Sequence, residues 1–184
     1  VHLRDGNEQK LVDIFANLDI GRDDYIYSTW ASHLHALLKG VPPDHIKKDI
    51  LEGRSITLHY ADYNFYSSAI VGGISPIATG TALALKRQNK DSRVYCFIGD
   101  MAFRTGISHE SIVYSIGKNL PINFIIEDNG KSVGTPTETS WGAISTQSLY
   151  QIYKNMSEGS SVDIIYYRYD MSYPHSGTGV FVEF

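Results

Sequence analysis

The chain is 184 residues long, 42% apolar, 12% aromatic and 20% charged, with a formal net charge of -4. That length suits one domain and that composition excludes intrinsic disorder; a pI near 5.9 argues against gripping a nucleic-acid backbone. A single cysteine, Cys96, excludes an internal disulfide framework and fits a reducing, cytoplasmic compartment.

The sequence opens at Val1 on the polar run His2-Leu3-Arg4-Asp5-Gly6-Asn7-Glu8, in which no secretory signal is visible. Leu11, Ile14, Phe15 and Leu18 then recur at helical spacing and predict an amphipathic helix over residues 8–18. Trp30 to Lys39 reads as a second helix, closed by Gly40 and stopped by Pro42-Pro43. A third starts from Asp44 as N-cap, with Ile46 and Ile50 on one face.

Residues 65–85, FYSSAIVGGISPIATGTALAL, carry no charge, a length that invites comparison with a membrane span. Three glycines, three serines, two threonines and a proline dilute the stretch, and no basic flank precedes it, so a span is not expected. The run reads instead as a buried glycine-rich loop and a helix starting after Pro76. Its small residues Ala78, Ala82 and Gly80, Ala84 recur at i, i+4 and admit close approach of a core element or of a second subunit.

Val94 to Ile98 is continuously apolar, as expected of a strand buried on both faces of a parallel sheet. A loop from Gly99-Asp100 to Gly106, a helix over Ile107 to Lys118 and a second buried strand over Ile122 to Ile126 complete a strand-helix-strand crossover, which predicts parallel pairing. An amphipathic stretch, Leu149 to Met156, leads to a third core strand over Val162 to Tyr167. With no internal repeat or linker, the expectation is one three-layer α/β domain over residues 1–184 with a mainly parallel sheet.

Open parallel sheets bind ligands beyond the carboxyl ends of their strands. Asp100 follows the first of these strands by two residues and Asn129 the second by three, so the topology brings a carboxylate and a carboxamide to one sheet edge. Two hard oxygen donors suit Mg²⁺, whose shell is commonly completed by water and phosphate oxygens. Backbone nitrogens after Asp100 are candidates to cradle those phosphates.

Gly99-Asp100-Met101, a spacer over residues 102–128 and then Asn129 resemble the Gly-Asp-Gly to Asn motif of thiamine-diphosphate enzymes. The chain is similar in particular to the alpha subunit of the decarboxylating component of 2-oxo acid dehydrogenases, a group that includes pyruvate, branched-chain and acetoin dehydrogenases. Residues 28–35, STWASHLH, resemble that family's histidine-rich segment, Thr57-Leu58-His59 its Ser-Met-His, and residues 69–76 its Gly-Ile-Val-Gly stretch. Gly106 and Glu110 match a later glycine and glutamate, so the resemblance runs collinearly over about residues 8–136.

The resemblance implies a thiamine-diphosphate-binding fold and a role for each matching position. Asp100, the Asn129 side chain and the Lys131 carbonyl match the Mg²⁺ ligands; Gly99, Met101 and Ala102 match diphosphate contacts; Ala69 and Val71 match backbone contacts to the aminopyrimidine. His59 and His33 match histidines lining the cavity, and His175 is the candidate for a third, displaced by a short insertion after Asp170. A beta-type partner, in an alpha2beta2 assembly, would carry the carboxylate that activates the cofactor. Pro76 to Leu85 is the expected interface segment. The implied substrate is a small 2-oxo acid or ketone, whose acyl or aldehyde unit passes to an acceptor.

Three positions depart from the pattern. Met101 replaces a glycine, Asp128 replaces an asparagine and adds negative charge, and Ala31 stands where many relatives carry a diphosphate-binding arginine. Arg104 is expected to compensate for that arginine. The stretch from Thr137 to Ser161 is also much shorter than in relatives. Two other readings stay open: a split transketolase-like or acyloin-forming subunit, and a non-catalytic subunit whose site has decayed. Gly72-Gly73 with Gly80 does not reproduce a dinucleotide-binding Gly-x-Gly-x-x-Gly.

Overall fold

A computed structural model describes residues 4–171. The chain runs through helix α1 (Glu8–Asn17), strand β1 (Tyr25–Thr29), helices α2 (His33–Leu38) and α3 (Pro43–Leu51), and strands β2 (His59–Tyr60) and β3 (Phe65–Ser68). Helix α4 (Ile74–Arg87), strand β4 (Val94–Gly99), helices α5 (Asp100–Phe103) and α6 (Gly106–Gly117) and strand β5 (Ile122–Asp128) follow. The hairpin β6 (Lys131–Ser132) and β7 (Thr135–Pro136), helices α7 (Thr137–Trp141) and α8 (Thr146–Ser157) and strand β8 (Asp163–Arg168) complete the order.

Six strands form one sheet in the order β2-β3-β1-β4-β5-β8. All neighbours are parallel except β2, which pairs antiparallel with β3 at the edge. Alternation along each strand divides the core in two. Val94, Cys96 and Ile98 of β4 and Ile122, Phe124 and Ile126 of β5 pack against α4, α6 and α8. Tyr95, Phe97 and Ile125 face the other way, against Leu11 and Phe15 of α1, Ala36 of α2 and Ile46 of α3. Both faces are therefore covered, giving the three layers expected from the continuously apolar strands. Cys96 lies in this core, where burial pushes its thiol up to about 12.

Several boundaries differ from the sequence reading. Tyr25–Thr29 and Phe65–Ser68 are strands that it did not anticipate; their nine residues are three tyrosines, one phenylalanine, three serines, one threonine and a single isoleucine rather than a Val/Ile run. Helix α2 starts at His33 instead of Trp30, because Trp30–Ser32 carry the chain off the end of β1. Pro43 opens α3 at a position that needs no N–H donor, so Pro42 and not Asp44 is the cap. Helix α4 likewise starts at Ile74, with Pro76 inside its first turn, where backbone nitrogens lack intrahelical partners. Ala78 and Ala82 of α4 are fully buried, and Ser75 and Thr79 lie 3.1 and 3.3 Å from Ser108 and Ser115 of α6. Gly80 and Ala84 remain exposed beside Ile77. Among the described residues no helix is long and apolar enough to cross a membrane.

Candidate functional site at the carboxyl edge of the sheet

All five parallel strands deliver residues to one cavity. It is lined by Thr29–Ala31 after β1, Ser68 and Ile70–Gly72 after β3, Gly99–Ala102 at β4 and α5, Glu127 and Asn129 at the end of β5, and Tyr169 after β8. The β6–β7 hairpin contributes Lys131, Ser132 and Val133, and the segment before α1 contributes Arg4. The predicted Gly99, Asp100, Met101, Ala102, Val71, Asn129 and Lys131 thus meet in one place. Ala69 is exposed between two lining residues without lining the cavity itself.

Gly72 has φ +74°, and a Cβ there would lie 2.6 Å from Thr105 Oγ1 and 2.7 Å from Ile107 Cγ2. The loop after β3 can therefore press against the start of α6 only with glycine at this position. Asp100 is 1% exposed and accepts a hydrogen bond from Thr137 Oγ1. Burial, reinforced by nearby Asp128, pushes its carboxyl up to about 6 although the Thr137 bond pulls the other way.

The extra charge of Asp128 is locally offset. Its Oδ1 accepts from the Gly130 N–H at 2.8 Å and from Arg168 Nη1 at 3.0 Å, and its Oδ2 accepts from the Tyr166 hydroxyl at 2.8 Å. Burial and that bond push Tyr166 up to about 12. Asn129 Oδ1 accepts from the Lys131 N–H at 3.1 Å, closing a turn that holds the carboxamide at the cavity wall. The Met101 thioether is held from outside by Trp141 Nε1 at 2.9 Å.

Glu127 was not singled out from sequence, yet it organises one wall. Its buried carboxylate accepts from Arg4 Nη1, from the Tyr167 hydroxyl at 2.5 Å and from Asn7 Nδ2 at 3.3 Å, and lies 3.1 Å from His35 Nε2. Burial alone would raise this carboxyl; Arg4 and His35 outweigh it and hold it well below the usual carboxylate range. Burial and the neighbouring Glu127 charge push Tyr167 upward. His35 Nδ1 lies 3.1 Å from Ser28 Oγ, so both ring nitrogens have partners.

Other expected site residues lie elsewhere. His59 is exposed on edge strand β2, its ring edge-on to Tyr66 at 4.8 Å. His33 is buried at the start of α2 without lining the cavity. Arg104 points away from the cavity: its guanidinium donates to the Ile144 carbonyl and to Thr146 Oγ1, tying the end of α5 to the start of α8. It therefore does not fill the place left by Ala31. His175 lies outside the described residues.

The donor set fits the implied group. Asp100 and Asn129 offer hard oxygens at the wall that Lys131 also lines. No group of three or more His, Cys, Asp or Glu side chains able to hold a metal exists among the described residues. A divalent ion would thus need additional oxygens, as a Mg²⁺–diphosphate pair supplies. A Cβ built on Gly99 meets nothing within 4 Å, which leaves the cavity floor open to a ligand.

Fold and site define a parallel α/β domain with a carboxylate and a carboxamide at its switch edge, the class that binds phosphorylated cofactors there. Residues 1–152 match the family described as Dehydrogenase E1 component, and the chain belongs to that family. It is 34% identical over 148 residues to the alpha subunit of acetoin:2,6-dichlorophenolindophenol oxidoreductase of Bacillus subtilis, covering 75% of this chain and 44% of that protein. It is 30% identical over 151 residues to the alpha subunit of the pyruvate dehydrogenase E1 component of Porphyra purpurea, covering 73% and 43%. The chain spans about half the length of the curated relatives it matches. A solved structure from Mycobacterium smegmatis, provisionally described as a thiamin diphosphate-dependent enzyme, aligns with TM-score 0.51 at 17% identity, covering 88% of this chain and 31% of that one. At that identity the likeness speaks to fold.

Proposed function

We propose that this chain is an alpha-type subunit that binds thiamine diphosphate with Mg²⁺ and acts with a beta-type subunit on a 2-oxo acid or a ketone. The observation that carries this reading is the meeting of Asp100, Asn129 and Lys131 with the Val71 and Met101–Ala102 backbone in one cavity of an E1-family domain. Asp100, Asn129 and the Lys131 carbonyl would hold the ion, and the backbone at Met101 and Ala102 would meet the diphosphate. The cofactor, when bound, supplies the carbanion chemistry that cleaves the bond next to the carbonyl and carries the acyl or aldehyde unit to an acceptor. This chain's own part is to anchor, orient and exclude water: Thr137 keeps the Asp100 carboxylate aimed, and Arg168 and Tyr166 mask Asp128 from the diphosphate.

The partner would dock beside the exposed Ile70, Val71 and Ile77, which continue onto Gly80 and Ala84 of α4. Ile70 and Val71, 74% and 52% exposed, line the cavity, and Ile77 is 54% exposed further along the same run; such exposed apolar side chains favour a covered surface. The names of two relatives, from Bacillus subtilis and Cupriavidus necator, specify acetoin, which favours a hydroxyketone as strongly as a 2-oxo acid. The test is turnover of pyruvate and of acetoin by the chain with and without a beta-type subunit from the same genome. Turnover only in its presence is expected; turnover by the chain alone would overturn the assignment.

A further inference from the structure

Resting on the cofactor reading above, we infer that Arg4 is the cation that holds the diphosphate, from the chain segment before α1. The cavity is lined by two cationic side chains among the described residues, Arg4 and Lys131. Lys131 stands exposed on the hairpin, whereas the Arg4 side chain is 10% exposed and lies inside, beside Thr29, Trp30 and Ala31. Its guanidinium donates to Glu127 Oε2 and, at 2.9 Å, to Thr29 Oγ1. A guanidinium has five N–H donors in a rigid fork, so donors remain after these two bonds.

The segment that carries Arg4 is fixed in place. Gly6, at φ +81°, lets the backbone lie against the Asp170 carbonyl, with which a Cβ would collide. Asn7 is fully buried and donates to both Glu127 and the Tyr167 hydroxyl. Glu127 and Thr29 thus set the fork at the ends of β5 and β1, on the wall where Ala31 presents only a methyl group. A planar, preorganised fork loses little side-chain freedom on taking up a phosphate.

A simpler role for Arg4 is to neutralise Glu127, and paired substitutions separate the two. Arg4→Gln alone leaves Glu127 buried without its cation and is expected to unfold readily. Arg4→Gln combined with Glu127→Gln removes both charges and keeps the shape. The full chain, with a beta-type subunit present, is titrated calorimetrically with thiamine diphosphate plus Mg²⁺, and separately with inorganic pyrophosphate plus Mg²⁺. The double variant should bind both about tenfold more weakly than the unmodified chain, or worse. Arg4→Lys, which keeps the ion pair but not the fork, should also weaken both and covers the case in which the double variant does not fold. Unchanged affinity for both ligands in the double variant, or in Arg4→Lys should the double variant not fold, would overturn the inference. No binding of either ligand to the unmodified chain would instead overturn the cofactor reading itself, and this inference with it.

Discussion

At the residue scale, the charge balance at the sheet edge follows from which side chain faces which layer. Period-two alternation places Glu127 on the same face as Phe97 and Ile125, so it points toward α1 and α2, where Arg4, Asn7 and His35 meet it. A carboxyl depressed in the folded state stabilises fully above its unfolded value, near 4.3, and that contribution is lost as pH falls through the folded value. Glu127→Gln should therefore lower the midpoint of thermal unfolding at pH 7 and flatten its fall between about pH 4 and pH 2; parallel acid limbs for both proteins would contradict this. Gly72→Ala should cost more than about 1 kcal/mol in urea unfolding, since it adds both an unfavourable φ and a Cβ overlap with Thr105 and Ile107.

The same residues show the reach of the sequence. Asp100 and Asn129 were legible because strand ends and crossover topology fix where they fall, whatever their partners. Arg4 was not, because it sits in a polar opening run with no periodicity, and its place depends on a contact with Glu127, 123 positions away. Arg104 misled for the converse reason: it is near in sequence to Met101, but its guanidinium is drawn to Ile144 and Thr146 of another element.

At the element scale, runs rich in apolar residues announced β4, β5 and β8, and apolar periodicity announced α1, α6 and α8. The strands β1 and β3 escaped notice because tyrosines and serines fill them: Tyr27 and Tyr66 stack at 5.2 Å and Tyr27 donates to or accepts from Thr81 at 2.6 Å. Such aromatic, hydroxyl-rich strands are held by neighbours across the sheet, information that a local pattern does not contain. The capping residues carry local stability. Ser145 Oγ accepts from the Ser148 N–H at 3.0 Å at the start of α8, so Ser145→Ala should cost about 1 kcal/mol and speed amide exchange in α8 more than in α6. In the core, Phe97 is fully buried, 5.8 Å from the Phe15 ring and 4.4 Å from that of His35. Phe97→Ala should cost about 3–5 kcal/mol and loosen the wall that bears Glu127.

At the scale of the whole molecule, the uncharged run over residues 65–85 proves to be three things in series. It supplies an inner strand, a glycine loop that lines the cavity and a helix whose other face is left to solvent. Ile70 and Val71 are exposed and line the cavity, and Ile77 is exposed further along the same run, so the proposed cofactor and partner would share one surface. In the proposed function Asp100 anchors a Mg²⁺–diphosphate pair there. Calorimetric titration of thiamine diphosphate into the chain plus a beta-type subunit, with and without Mg²⁺, tests it most directly when repeated on Asp100→Asn. Saturable binding that needs the divalent ion and weakens at least tenfold, about 1.4 kcal/mol, in the variant is expected; equal binding by both proteins would rule out this role for Asp100.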